Sequence, residues 1–236
     1  CRAYNGGGVA CDGGVLRLEA CTVTGNQTSG NSGGGVLVSN SEATIVSSTI
    51  SGNSTTGDDR EGGGILVYAS GPADTICRVA SSTIANNLAT GAGGGILLGS
   101  LGVGTARLEL RNSIVAQNAA ASARDIDATH ALAEVLSGGH NVVGDGTGSG
   151  FVDGVLGDQV GTLAAPLSPG IVPLTTFSVT GLTHPLRGDA AVAGRRDHGS
   201  FGRKLHDFGL VCGFTHQTTQ ILPAGRASFC IVYLWR

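Results

Sequence analysis

Three consecutive glycines occur four times, at Gly6-Gly7-Gly8, Gly33-Gly34-Gly35, Gly62-Gly63-Gly64 and Gly93-Gly94-Gly95. Each triplet is followed by a β-branched residue: Val9, Val36, Ile65 and Ile96. The steps between triplets are 27, 29 and 31 residues. A second motif keeps pace, reading TVTGN at 22–26, TISGN at 49–53, TIANN at 83–87 and SIVAQN at 113–118. Self-similarity at a period of roughly 20 to 50 residues marks a solenoid, whose units bury their apolar faces only by stacking on one another.

The local pattern selects the kind of solenoid. ATIVSSTI (43–50) and ARLELRNSIV (106–115) alternate apolar and polar residues, which is strand periodicity. No unit carries a helical apolar stripe, so helical repeats are excluded, and leucine does not recur at the short offsets of a leucine-rich repeat. Composition agrees. Glycine is abundant at 41 residues, charged residues are 13% and methionine is absent. Such a chain is poor in helix formers and rich in residues for strands and tight turns. Each unit supplies about three short strands, one rung of a right-handed parallel β-helix. The net charge is −3 with no basic run, which argues against a nucleic-acid partner.

At a rung corner the chain turns sharply, often with positive φ, and glycine accepts that at least cost. The expected interior has Val36, Ile65 and Ile96 in one stack, and Ile50, Ile84 and Ile114 in another. Asn26, Asn53, Asn87 and Asn118 are expected to form a structural asparagine ladder that bonds turn backbone and the adjacent rung. The loops after the asparagines vary in length. One of them holds Asp58, Asp59 and Glu61, a weak calcium candidate set that otherwise reads as a solvated loop. No cofactor or resident metal is expected, and no Gly-Lys-Ser/Thr follows any glycine run to make a phosphate loop. The six cysteines, Cys1, Cys11, Cys21, Cys77, Cys212 and Cys230, contain no Cys-x-x-Cys pair. Cys11 and Cys21 either pair or remain buried thiols.

Residues 6 to 118 resemble the parallel β-helix repeats of bacterial surface proteins. More distantly, they are similar to polymorphic outer-membrane protein repeats. NSIVAQN…DID…GGHNVVGD (112–145), THPLRGDAAVAG (183–194), RRDHGSFGR (195–203) and HDFGLV (206–211) resemble, in order, the closing elements of choice-of-anchor Q domain proteins. The usual proline and aspartate of that family's Ser-Pro-Ala-Ile-Asp piece are missing here, and Cys212 stands where it has glutamate. The resemblance implies a secreted or cell-surface protein, outer membrane included. It also implies a β-helix of about four rungs over 1–120, a last rung with an irregular β-rich cap over 121–212, and a tail over 213–236. His140, in the Gly-His-Asn element, would then bond a turn in the cap.

Two functions are open. One is a non-catalytic extracellular surface protein, an adhesin-like stalk or carbohydrate-contacting scaffold, whose partners would be surface glycans or proteins of a host or neighbouring cell. The other is a polysaccharide lyase or glycoside hydrolase using Asp125, Asp127 and His140, since such chemistry needs paired carboxylates or a calcium-assisted base. The exposed strand positions read as Thr, Ser and Ala, with no carboxylate pair or basic residue recurring between rungs, which favours the scaffold. A first rung without a cap would favour self-association.

Overall fold

The computed structural model describes residues 2–3, 6–29, 32–171, 175–177, 181–183 and 231–235. The chain is an all-β parallel solenoid of about five turns. Each rung contributes one strand to each of three parallel sheets. The first sheet stacks Val9–Asp12, Val36–Ser39, Ile65–Ala69, Ile96–Ser100 and Ile126–Asp127. The second stacks Val15–Glu19, Glu42–Val46, Thr75–Ala80, Ala106–Arg111 and Ala133–Ser137. The third stacks Thr22–Thr24, Thr49–Ser51, Thr83–Ala85, Ile114–Ala116, Val142–Val143 and Gln159–Val160. The sheets run past residue 120 without a break, so the last rung continues the β-helix rather than opening a separate unit.

Strand alternation fills the interior. Val9, Val36, Ile65, Ile96 and Ile126 lie in one register column, all buried. On the second sheet Leu18, Ile45, Val79 and Leu110 do the same. The third-sheet column corrects the sequence reading. Ile84 pairs with Ile50 and with Val115, whereas Ile114 pairs with Thr83. Val115 therefore takes the interior place. Ile114 turns outward into a second apolar cluster with Ala85, Ala116, Val142 and Ile171, against which Leu167 packs.

The glycine triplets serve two needs. Gly62 adopts φ 63°, where a side chain is strained. Gly63 and Gly64 permit close approach. A Cβ on Gly63 would lie 2.5 Å from the Leu88 carbonyl, and one on Gly64 would lie 2.5 Å from the Gly95 carbonyl and 2.9 Å from Asn87 Nδ2. The third glycine thus leaves room for the ladder asparagine.

Cys21 is disulfide-bonded, while Cys11 and Cys77 are free and buried, so Cys11 and Cys21 do not pair with each other. Burial pushes the Cys77 thiol up to about 12, which keeps it protonated and inert. Ile231–Trp235, in the segment read as a tail, lies antiparallel beside Val15–Glu19 and covers that first-rung edge. The first rung is therefore not wholly uncapped. Among the described residues, no further strand pairs with Val9–Asp12 on its outer edge, while Gly181–Thr183 lies against Thr22–Thr24. Most of the family-like pieces over 183–211 lie outside the described residues.

Candidate functional site

Two side-chain ladders run along the corners on either side of the third sheet, and the last rung's acidic residues are found at their ends. In the first ladder Asn53 Oδ1 accepts from the backbone N–H and Nδ2 of Asn26, both at 3.0 Å. Asn87 Oδ1 accepts likewise from Asn53, and Asn118 Oδ1 from Asn87, each at 3.0 Å. Each Nδ2 also reaches back to the preceding rung, Asn53 to the Val23 carbonyl and Asn87 to the Ile50 carbonyl. The residue before each asparagine is left-handed: Gly25, Gly52, Asn86 and Gln117.

Asp125 terminates this ladder. Its Oδ1 accepts from the Asn118 N–H at 3.0 Å and Nδ2 at 2.8 Å. Its place in the rung explains how it reaches there. Ile126 pairs with Ile96, so Asp125 occupies the position of the third glycine, equivalent to Gly95. In earlier rungs a side chain there would strike the rung's own asparagine. In the last rung Val143 pairs with Val115, which puts Gly146 at the asparagine position. Glycine and asparagine have exchanged roles, and the aspartate carboxylate enters the space left by the missing amide.

The second ladder runs Cys21, Ser48, Ser82, Ser113 and Asn141. Each backbone N–H donates to the side-chain oxygen one rung on, at 3.1, 3.1, 3.2 and 3.1 Å. Asp158 ends it, with Oδ1 accepting from the Asn141 N–H at 2.8 Å and Nδ2 at 3.0 Å, and Oδ2 accepting from the Ser137 hydroxyl at 2.5 Å. Sequence reading missed both the serine ladder and Asp158. Its signal is the small polar residue directly before each third-sheet strand.

The three residues weighed for catalysis are dispersed. Asp125 is 2% exposed. Asp127 faces outward from the first sheet, buried at the end of a column containing Leu37, Leu66 and Leu97, and its Oδ1 accepts from the Thr129 N–H and hydroxyl. His140 is exposed at the other corner of the third sheet, with φ 59° and its N–H donating to the Leu156 carbonyl at 3.1 Å. Ala20, Ser47, Ser81 and Asn112 hold the same left-handed place in earlier rungs. Asp58, Asp59 and Glu61 are all exposed. Partial burial, then the nearby charges of Asp127 and Asp59, raises the Glu61 carboxyl, against the opposing effect of His130. Among the described residues, no group of three His, Cys, Asp or Glu side chains is placed to hold a metal ion.

The outer face of the second sheet departs from the expected Thr, Ser and Ala. Arg78 bridges Glu42 and Glu109 on the adjacent rungs, at 3.0 and 3.1 Å. Arg107 pairs with Glu134 at 2.7 Å, and Arg17 with Glu19 at 2.9 Å. A groove of about 420 Å³ crosses this face, lined in part by Thr44, Arg78, Glu109, Arg111 and Leu136. These ion pairs are solvent-screened. Arg78→Ala is expected to cost about 1 kcal/mol or less, measured by urea unfolding. A larger loss would mean that the charged face helps hold the rungs together.

Comparison with protein-family models, curated proteins and solved structures returns no match.

Proposed function

We propose that the chain is a non-catalytic extracellular scaffold, a stalk-like β-helix whose second-sheet face contacts surface glycans or a neighbouring protein. What supports this reading is the use made of the last rung's aspartates. Asp125 and Asp158 terminate ladders and Asp127 is bonded within its own turn, so the acid-rich segment 125–127 works as a structural cap. The Arg–Glu face, by contrast, presents charged side chains in rung-spaced rows beside an open groove. Rows of this kind suit an extended, hydroxyl-rich or uronic chain. Among the described residues no strand pairs outside Val9–Asp12, and that edge is where a second copy would add by strand pairing.

The test incubates the full chain with a panel of uronic-acid polymers and neutral glycans, with and without calcium. Absorbance of unsaturated products, new reducing ends and retention on immobilised glycan are followed. Retention without turnover is expected, weakened at least severalfold in Arg78→Ala/Arg107→Ala. Turnover that disappears in Asp125→Asn/Asp127→Asn, with the fold intact by circular dichroism, would establish an enzyme instead.

A further inference from the structure

On the outer face of the second sheet, side-chain size changes from one row to the next. Thr44, Arg78, Glu109 and Leu136 pair in register and form a row of mostly long side chains. The neighbouring outward row runs Val46, Ala80 and Arg111. Gly138 continues it, since the preceding Ser137 pairs with Leu110. Val46, Ala80 and Gly138 are small, so this row is the floor of the groove, and Arg78, Glu109 and Leu136 wall it on one side. Gly138 lies outside the left-handed region, so its backbone does not call for glycine. A Cβ there would lie 2.8 Å from the Arg111 Cβ, and its absence keeps the space beside Arg111 open.

The arginines of this face are not equivalent. Arg17, Arg78 and Arg107 each hold a glutamate, at 2.9, 3.0 and 2.7 Å. Arg111 is exposed in the groove and has no ion-pair partner among the described residues. We infer, on the reading that this face contacts glycan, that the groove binds an acidic polysaccharide and that Arg111 holds the carboxylate of a uronic-acid ring. A guanidinium presents paired N–H donors that match a carboxylate. Val46, Ala80 and Leu136 offer apolar surface to the C–H face of a sugar, while Thr44 and Glu109 offer oxygens to its hydroxyls. Rungs stack about 4.8 Å apart, so the floor from Val46 to Arg111 is about 10 Å long, room for a short run of sugars. An acidic peptide suits the groove less well. Glu42–Val46, Thr75–Ala80 and Ala106–Arg111 are paired on both edges, so the face has no free backbone for an added strand.

The experiment titrates the full chain calorimetrically with a short oligogalacturonate, with its carboxyl-reduced neutral counterpart, and with an oligoglutamate peptide. The acidic sugar is expected to bind at least about fivefold more tightly than the neutral one, and more tightly than the peptide. Arg111→Gln should bring the acidic sugar down to the affinity of the neutral one and leave the neutral one unchanged. Arg111→Lys, a point charge without the fork, should keep part of the difference. Ala80→Leu, which fills the floor and leaves every charge in place, should weaken both sugars. Circular dichroism checks that each variant is folded. Equal affinity for the two sugars, or an acidic-sugar affinity unchanged in Arg111→Gln, would overturn the inference and leave the glycan-contacting reading standing. Binding of neither sugar would overturn both. Tighter binding of the peptide, lost in Arg111→Gln, would make the groove a site for an acidic protein segment instead.

Discussion

Ile65→Asp is expected to abolish folding of the β-helix. Ile65 is fully buried at the centre of the five-residue column from Val9 to Ile126, paired in register with Val36 on one side and Ile96 on the other. The substitution removes a buried aliphatic side chain, worth roughly 1.5–3 kcal/mol, and places an unpaired carboxylate among apolar neighbours at several kcal/mol more. Together these consume most or all of the roughly 5–15 kcal/mol that holds a typical domain. The middle rung has no end to fray from, so the loss cannot be confined. Ile65→Val keeps the column and is expected to cost about 0.5–1.5 kcal/mol. Far-UV circular dichroism and urea titration of both variants decide the matter. A cooperative transition in Ile65→Asp at the parent's midpoint would mean that the column is not the core.

Asn53→Ala is expected to cost at least about 2 kcal/mol, since it orphans two buried backbone groups at roughly 1–3 kcal/mol each. Those groups are the Asn26 N–H and the Val23 carbonyl. The amide of Asn26 and the Oδ1 of Asn87 lose a partner as well. Asn53→Asp should also be damaging, because a carboxylate has no donor for the Val23 carbonyl. It accepts at the ladder's end only because Asp125 stands beyond the last asparagine, where acceptors alone are needed. Urea midpoints for Asn53→Ala and Asn53→Asp measure this. A neutral Asn53→Ala would leave the corner held by backbone bonds alone.

The β-helix was legible because its causes are periodic and local. Glycine triplets, the β-branched residue after them and the asparagine four residues into each TVTGN-type motif recur at rung spacing, and each has a physical requirement behind it. By residue type Ile114 looks like the counterpart of Ile50 and Ile84, but Val115 is the residue in register with them. The left-handed residue and the asparagine that follows set the phase of the strand, so counting back from Asn118 places Val115 inside. The charged second-sheet face is also present in the alternation of ARLELR (106–111), whose polar positions take their partners from other rungs. Arg78 lies between Glu42 and Glu109 only once the sheet register is known.

The acid-rich stretch at 125–127 marks where sequence reasoning reaches its limit. Clustered carboxylates in a β-helix read equally well as catalytic groups or as caps, because both need acceptors gathered in one place. What distinguishes them is whether the acceptors face solvent or meet donors, and the donors come from other parts of the chain: Asn118 for Asp125, Asn141 for Asp158. By itself the sequence determined the repeat, the strand periodicity, the small residues at the corners and the stacked interior, since each depends on spacing within a rung. Only the tertiary structure decided the partners of Asp125 and Asp158, the disulfide state of Cys21 and the pairing of charges across rungs. Those depend on which residue meets which after five turns have accumulated, and loops of variable length hide that correspondence from any fixed period.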